Sequence, residues 1–268
     1  MKLFLYQNGP RADALFARAL VRAIVDAGTA ATVACCRDDL DLWQGLGKHL
    51  ELVVSPFANT RHGSPVDLAC LAPAGTVAFP IWLGGASRLP NYQWPDMVAH
   101  FQRQCERRSV HVPLGELDVV PMLDFASVAP AAEDLGLAIY LDNARGVDKD
   151  CWFVHDVGRL ARALPEHTLL CTAPTACQAA NVRDISAWSW AARSRASERC
   201  EVLVGTTRDP FALTMTETNR WKPKALCGHD ARVRGPFWDY PGNPMELLAT
   251  MDELVDFLLA NVDAGCPR

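Results

Sequence analysis

The chain has no Gly-x-Gly-x-x-Gly turn after its first apolar run, no Walker phosphate loop, no Gly-x-Ser-x-Gly elbow and no His-Glu-x-x-His. These absences remove the commonest dehydrogenase, nucleotide triphosphatase, serine hydrolase and zinc protease readings. No apolar stretch approaches the roughly 18 to 20 residues needed to cross a bilayer. The amino end lacks a basic segment followed by a small-residue cleavage site. The expectation is a cytoplasmic protein without a transmembrane segment, with peripheral membrane contact left open. Lys and Arg are spread along a chain of net charge −5, so the basic footprint of a nucleic-acid binder is missing. The ten cysteines are scattered, with no Cys-x-x-Cys pair, which argues against a zinc site and for buried, reduced thiols. Cys35, Cys171 and Cys227 lie in or at the end of apolar runs, where cysteine behaves as a small hydrophobe.

What is there is an ordinary globular composition, 50% hydrophobic and 21% charged over 268 residues, enough for two compact domains. Lys2 to Gln7 reads as a buried strand. A polar turn follows, and then a helix with apolar residues at 12, 15, 16, 19, 20, 23 and 24 that Gly28 stops. Further strands are expected at 30–36, 50–54, 77–83 and 119–123, with a short helix between the second and third and another helix at 94–108. The small-residue stretch 126–136 reads as a linker, after which the alternation restarts. Strands are expected there at 137–141, 168–172, 182–184, 201–204 and 225–227, and helices near 152–164, 187–199, 210–220 and 245–261. Strands alternating with helices imply parallel sheets. The expected fold is therefore α/β, with two Rossmann-like domains, 1–125 and 137–268, and a cleft between them. In such sheets ligands bind at loops following the carboxyl ends of strands.

Asp13 opens the first helix, either capping its backbone N–H groups or serving as a general base. Arg145 and Lys149 flank a loop just before a helix, as a diphosphate site or as solvated charges. From Glu201 the chain runs strand, Gly205-Thr206-Thr207 turn, then an expected helix start, whose N–H groups and two hydroxyls could hold phosphate. Glu217 could accept hydrogen bonds from ribose hydroxyls or simply lie on the wet face of that helix. Asp39-Leu-Asp41 has an Asp-x-Asp shape that also suits a helix start, and no metal is expected. Ser64 after His62-Gly63 reads as a turn rather than a nucleophile. His229-Asp230 and the aromatic loop 237–240 either stack on a sugar or base or cover the core.

These motifs resemble the GT-B glycosyltransferases, and most of all the ADP-heptose:lipopolysaccharide heptosyltransferases of glycosyltransferase family 9. That family's Gly-Asp step corresponds to Ala12-Asp13, its Arg-x-x-Lys-x-Trp-like loop to Arg145, Lys149 and Trp152, and its Asp-Thr-Gly-type turn to Gly205-Thr206-Thr207. Here Ala12 stands in place of glycine, Thr206 about where the donor-site aspartate belongs, and Arg208-Asp-Pro-Phe in place of Gly-Leu-Ser-His. The resemblance implies a metal-independent inverting transferase. A nucleotide-diphosphate sugar is its substrate, no cofactor is required, Asp13 is the base, and the donor is held by Arg145, Lys149, Gly205, Thr206 and Thr207, to which the reading of the residues themselves adds Glu217. The amino domain would take a saccharide, lipid-linked or protein acceptor. A sugar-nucleotide epimerase or hydrolase on the same scaffold and a noncatalytic nucleotide-binding or scaffold protein are the alternatives.

Overall fold

The computed structural model describes residues 1–6, 11–57, 67–81, 94–114, 123–125, 127–128, 135–144, 153–206, 209–228 and 245–262. The chain divides into two compact units, Met1–Ser127 and Val128–Arg268.

The first unit holds a four-stranded parallel sheet of β1 (Lys2–Tyr6), β2 (Ala30–Cys35), β3 (Leu50–Val54) and β4 (Thr76–Pro80), in the order β3-β2-β1-β4. The helix after β1, α1 (Arg11–Asp26), buries Leu15, Leu20 and Ile24 of the stripe that its sequence period requires, and Val21 beside them. Gly28, at φ +78°, ends it in the left-handed conformation that glycine adopts without a side-chain clash. The short helix expected between β2 and β3 is a 3-10 segment, Arg37–Trp43, whose Leu42 and Trp43 are buried. Arg18 is a buried cation of this unit: it donates to the carbonyls of Leu42 and Asp124, each at 2.5 Å, and lies over the Phe125 ring at 4.2 Å. It thereby ties α1 to two later segments. The second helix, α2 (Trp94–Arg107), falls where the sequence places it. The strand expected at 119–123 lies outside the described residues except for Leu123.

The second unit holds six parallel strands: β5 (Ala138–Leu141), β6 (Thr168–Cys171), β7 (Val182–Asp184), β8 (Val202–Gly205), β9 (Lys224–Cys227) and β10 (Glu246–Leu248). Their order, β10-β9-β8-β5-β6-β7, is the 3-2-1-4-5-6 order of the dinucleotide-binding sheet counted from β5. The first unit has the first four positions of the same order. β5, β8 and β9 are buried along their whole length, as expected of a sheet covered on both faces. One core of this unit gathers Ile139, Leu160, Leu169, Val204, Leu254 and Leu258.

Four expectations here are corrected. The helix placed near 152–164 is α3 (Val157–Ala163), capped by Asp156, whose carboxylate accepts from the Arg159 N–H at 2.9 Å. The one placed at 187–199 is α4 (Trp190–Ser197), capped by Ser189. Residues 210–220 are not one helix: a single turn, α5 (Asp209–Ala212), gives way to a 3-10 turn at Glu217–Asn219. Hydroxyl and amide side chains compete with the helix there. Thr214 Oγ1 donates to the Phe211 carbonyl at 2.8 Å, and Asn219 Nδ2 takes the Thr214 carbonyl at 3.0 Å. Finally, 245–261 is not helical from its start. Glu246–Leu248 pair with Ala225–Cys227 as β10, and only then does α6 (Met251–Val262) begin.

Candidate functional site

The strand order reverses between β5 and β8, the point where sheets of this kind bind ligands beyond their carboxyl ends. Three side chains meet there, those of Asp142, Thr172 and Thr206. Asp142 directly follows β5 and is 0% exposed, its N–H still bonded to the Val204 carbonyl at 2.8 Å. Its two carboxylate oxygens go to opposite neighbours: Oδ1 accepts from Thr172 Oγ1 beyond β6 at 3.0 Å, and Oδ2 from Thr206 Oγ1 beyond β8 at 3.4 Å. Oδ1 also accepts from the Ala144 N–H at 3.3 Å, curling the start of the loop after β5. Two residues earlier on β5, and so on the same face, the buried Tyr140 donates its hydroxyl to the Pro210 carbonyl at 2.8 Å. Burial, reinforced by the Asp142 charge, pushes the Tyr140 phenol well above its ordinary range, so it stays a donor. Asn143 exchanges two bonds with the backbone of Ala173, both at 2.9 Å, joining the loops after β5 and β6.

Of the residues singled out in the sequence, Gly205 and Thr206 come together at this edge. Gly205 is the last residue of β8, packed where a Cβ would lie 2.9 Å from Cβ of Asp142. Thr206 is 0% exposed and turns its hydroxyl inward. Arg145, Lys149 and Thr207 lie outside the described residues, as do Trp152, Ser64, His229, Asp230 and the loop 237–240. Glu217 is not brought to this edge. It is exposed and ion-paired with Arg220 at 3.1 Å. Its turn is tied by Asn219 to Ser197, at the end of α4, and to Lys224, at the start of β9. That is the side on which the strands begin. Asp13 is the third residue of α1, in the first turn after the β1 loop, a backbone placement beyond the carboxyl end of β1.

No protein-family model and no curated protein matches the sequence. Solved structures do. The E. coli ADP-heptose lps heptosyltransferase II is similar over 98% of this chain and 99% of its own, with a TM-score of 0.64 at 12% identity. A glycosyl transferase family 9 protein from Veillonella parvula DSM 2008 is similar over 100% of this chain and 90% of its own, with a TM-score of 0.61 at 9% identity. The chain has the GT-B fold.

On that fold, sequence reasoning missed Tyr140, Asp142, Asn143 and Thr172. The signal was present: Asp142-Asn143 closes the apolar run Ala-Ile-Tyr-Leu, and a carboxylate at the end of a central strand needs partners. His155, in the GT-B chain's second unit, was also missed. It is buried against the Phe153 ring at a centroid distance of 4.9 Å, its Nε2 has no hydrogen-bond partner among the described residues, and burial pushes it down to about 4. It is therefore a neutral imidazole at physiological pH. Phe153 in turn packs on Gly228, beyond β9, where a Cβ would lie 2.4 Å from its own. In the first unit, Tyr6 at the end of β1 donates to Asp67 Oδ1 at 2.9 Å. Asp39 is buried, and among the described residues no three His, Cys, Asp or Glu side chains gather as a metal-ligand set. Among the same residues no helix is long and apolar enough to cross a membrane. Cys35, Cys171 and Cys200 are buried free thiols whose desolvation pushes each up to about 12, so they are poor nucleophiles.

Proposed function

We propose that the chain is a metal-independent inverting glycosyltransferase that moves a sugar from a nucleotide-diphosphate donor to a hydroxyl acceptor. The observation that carries this reading is the end-to-end likeness to a heptosyltransferase, which spans 98% of this chain and 99% of that one. The second unit takes the donor. Its diphosphate charge is met by Arg145 and Lys149, in the loop that Asp142 starts, and by N–H groups of the Gly205-Thr206-Thr207 turn at the switch point. Thr206 contributes there through its backbone, since its hydroxyl is committed to Asp142. Glu217, whose turn lies at the end of the sheet where the strands begin, is left out of the donor set. The first unit takes the acceptor. The Asp13 carboxylate accepts the acceptor's hydroxyl proton as that oxygen bonds to the anomeric carbon. The bond from that carbon to the diphosphate breaks, and the nucleoside diphosphate leaves with the electron pair. The positive side chains neutralise the leaving group without a metal ion.

Two measurements test this. Asp13→Ala should lower transfer from a nucleotide sugar by at least about a hundredfold while donor affinity stays nearly unchanged; full activity in that variant sinks the mechanism. A thermal-shift panel of ADP, GDP, UDP and CDP should show stabilisation by one of them, because a ligand that binds only the folded chain raises its melting temperature. The inward-turned Thr206 hydroxyl makes the noncatalytic scaffold the second reading, and a panel with no stabilisation would put it first.

A further inference from the structure

The turn that leads out of β8 is held at both ends by one strand, β5. At its near end, Thr206 Oγ1 donates to Asp142 Oδ2 at 3.4 Å; at its far end, the Pro210 carbonyl accepts from the Tyr140 hydroxyl at 2.8 Å. Tyr140 and Asp142 are two residues apart and both are 0% exposed, so alternate side chains of one strand grip the two ends of one turn. Asp142 also reaches the other neighbour through Thr172, at 3.0 Å, and starts its own loop through the Ala144 N–H, at 3.3 Å. A buried carboxylate is costly unless its lone pairs are used. Simple packing would be met by an apolar residue at this position. What a carboxylate adds is direction: one group fixes where three consecutive loops leave the sheet, β8, β5 and β6 in spatial order.

We propose that Tyr140 and Asp142 form a positioning pair that sets the turn after β8 and the loop after β5 for a nucleoside diphosphate. This rests on the donor reading above. Neither side chain touches the ligand. Both act by holding the backbone of Thr206 and Pro210 after β8, and of Ala144 after β5, in one arrangement before the ligand arrives, so that ordering them costs no affinity at binding.

The test measures ADP, GDP, UDP and CDP binding by calorimetry on the full chain, well below each variant's melting temperature. The variants are Tyr140→Phe, Asp142→Asn, Thr206→Val, Thr206→Ser and the double variant Asp142→Asn/Thr206→Val. All are close in size to the native residue, which keeps the chain folded. For the diphosphate that the wild type binds, Tyr140→Phe, Asp142→Asn and Thr206→Val should each weaken affinity by about threefold or more, and Thr206→Ser should restore most of it. In the Asp142→Asn background, Thr206→Val should add nothing further, because the hydroxyl works through that carboxylate. Wild-type binding with all three single variants within about threefold overturns the positioning role alone. Additive losses in the double variant overturn it too, since Thr206 would then act on the ligand directly. A wild type that binds none of the four diphosphates overturns the donor reading itself, and the positioning role with it.

Discussion

Gly205 closes β8 with no room for a methyl group: a Cβ there would lie 2.7 Å from the Phe211 ring and 2.9 Å from Cβ of Asp142. In the sequence it reads as a phosphate-loop glycine, yet its first duty is to let β5 and Phe211 approach. Gly205→Ala should therefore destabilise the second unit by about 2 kcal/mol through overpacking, read as a lower denaturant midpoint with the slope unchanged. His155 makes a prediction with a definite sign. Its folded value lies near 4, against about 6.5 unfolded. Between those pH values the unfolded chain binds a proton that the folded chain refuses, so stability falls as pH drops through that window. The expected loss between pH 7 and pH 5 is about 2 kcal/mol. Urea midpoints at the two pH values check it, and His155→Phe should flatten the dependence; an unchanged slope in that variant would place its origin elsewhere.

At the scale of elements, two helices are set by side chains remote from any site. Glu253 Oε2 accepts from the Thr250 N–H at 3.0 Å, and Thr250 Oγ1 accepts from the Glu253 N–H at 3.2 Å, a reciprocal capping box that starts α6. Thr250→Ala should cost about 1 kcal/mol, whereas Glu253→Gln, which can make the same bond, should cost much less; equal losses in the two denaturation curves would contradict this. Asn181 Nδ2 donates to the carbonyls of Ala161, Leu164 and His167, at 3.1, 2.9 and 3.2 Å, and so closes the end of α3. Asn181→Ala leaves those carbonyls short of a donor and should cost about 1 to 2 kcal/mol, measured the same way. The capping box is legible in Thr250-Met-Asp-Glu253, and it places the start of α6 where a run of apolar residues from Met245 suggests an earlier one. The Asn181 bonds are not legible, because they join residues brought together only by the packing of β6 and β7.

For the whole molecule, each unit has its own parallel sheet, and among the described residues the core around Leu160, Val204 and Leu254 draws only on the second. A fragment spanning 128–268 should therefore unfold in one cooperative transition by calorimetry. Under the donor reading it should also bind the same nucleoside diphosphate within about threefold of the full chain. A broad, noncooperative transition would count against a self-sufficient core.

By itself the sequence determined the α/β class, the restart of alternation in the second half, nearly every strand and the first helix, because period and burial are local properties that a run of residues carries in its own order. It also marked Gly205 and Thr206 as belonging to a turn at the end of a strand. Only the tertiary structure decided what that turn does with its side chains. Thr206 faces inward because Asp142, 64 residues earlier in the chain, lies on the neighbouring strand, and no local pattern records which strand will be the neighbour. The strand order that sets β5 beside β8, and with it the switch point, is settled by which faces of the sheet must be covered. Glu217 shows the same limit from the other side: its spacing fits a helix near the turn, but competing Thr and Asn side chains break that helix and carry the residue to where the strands begin.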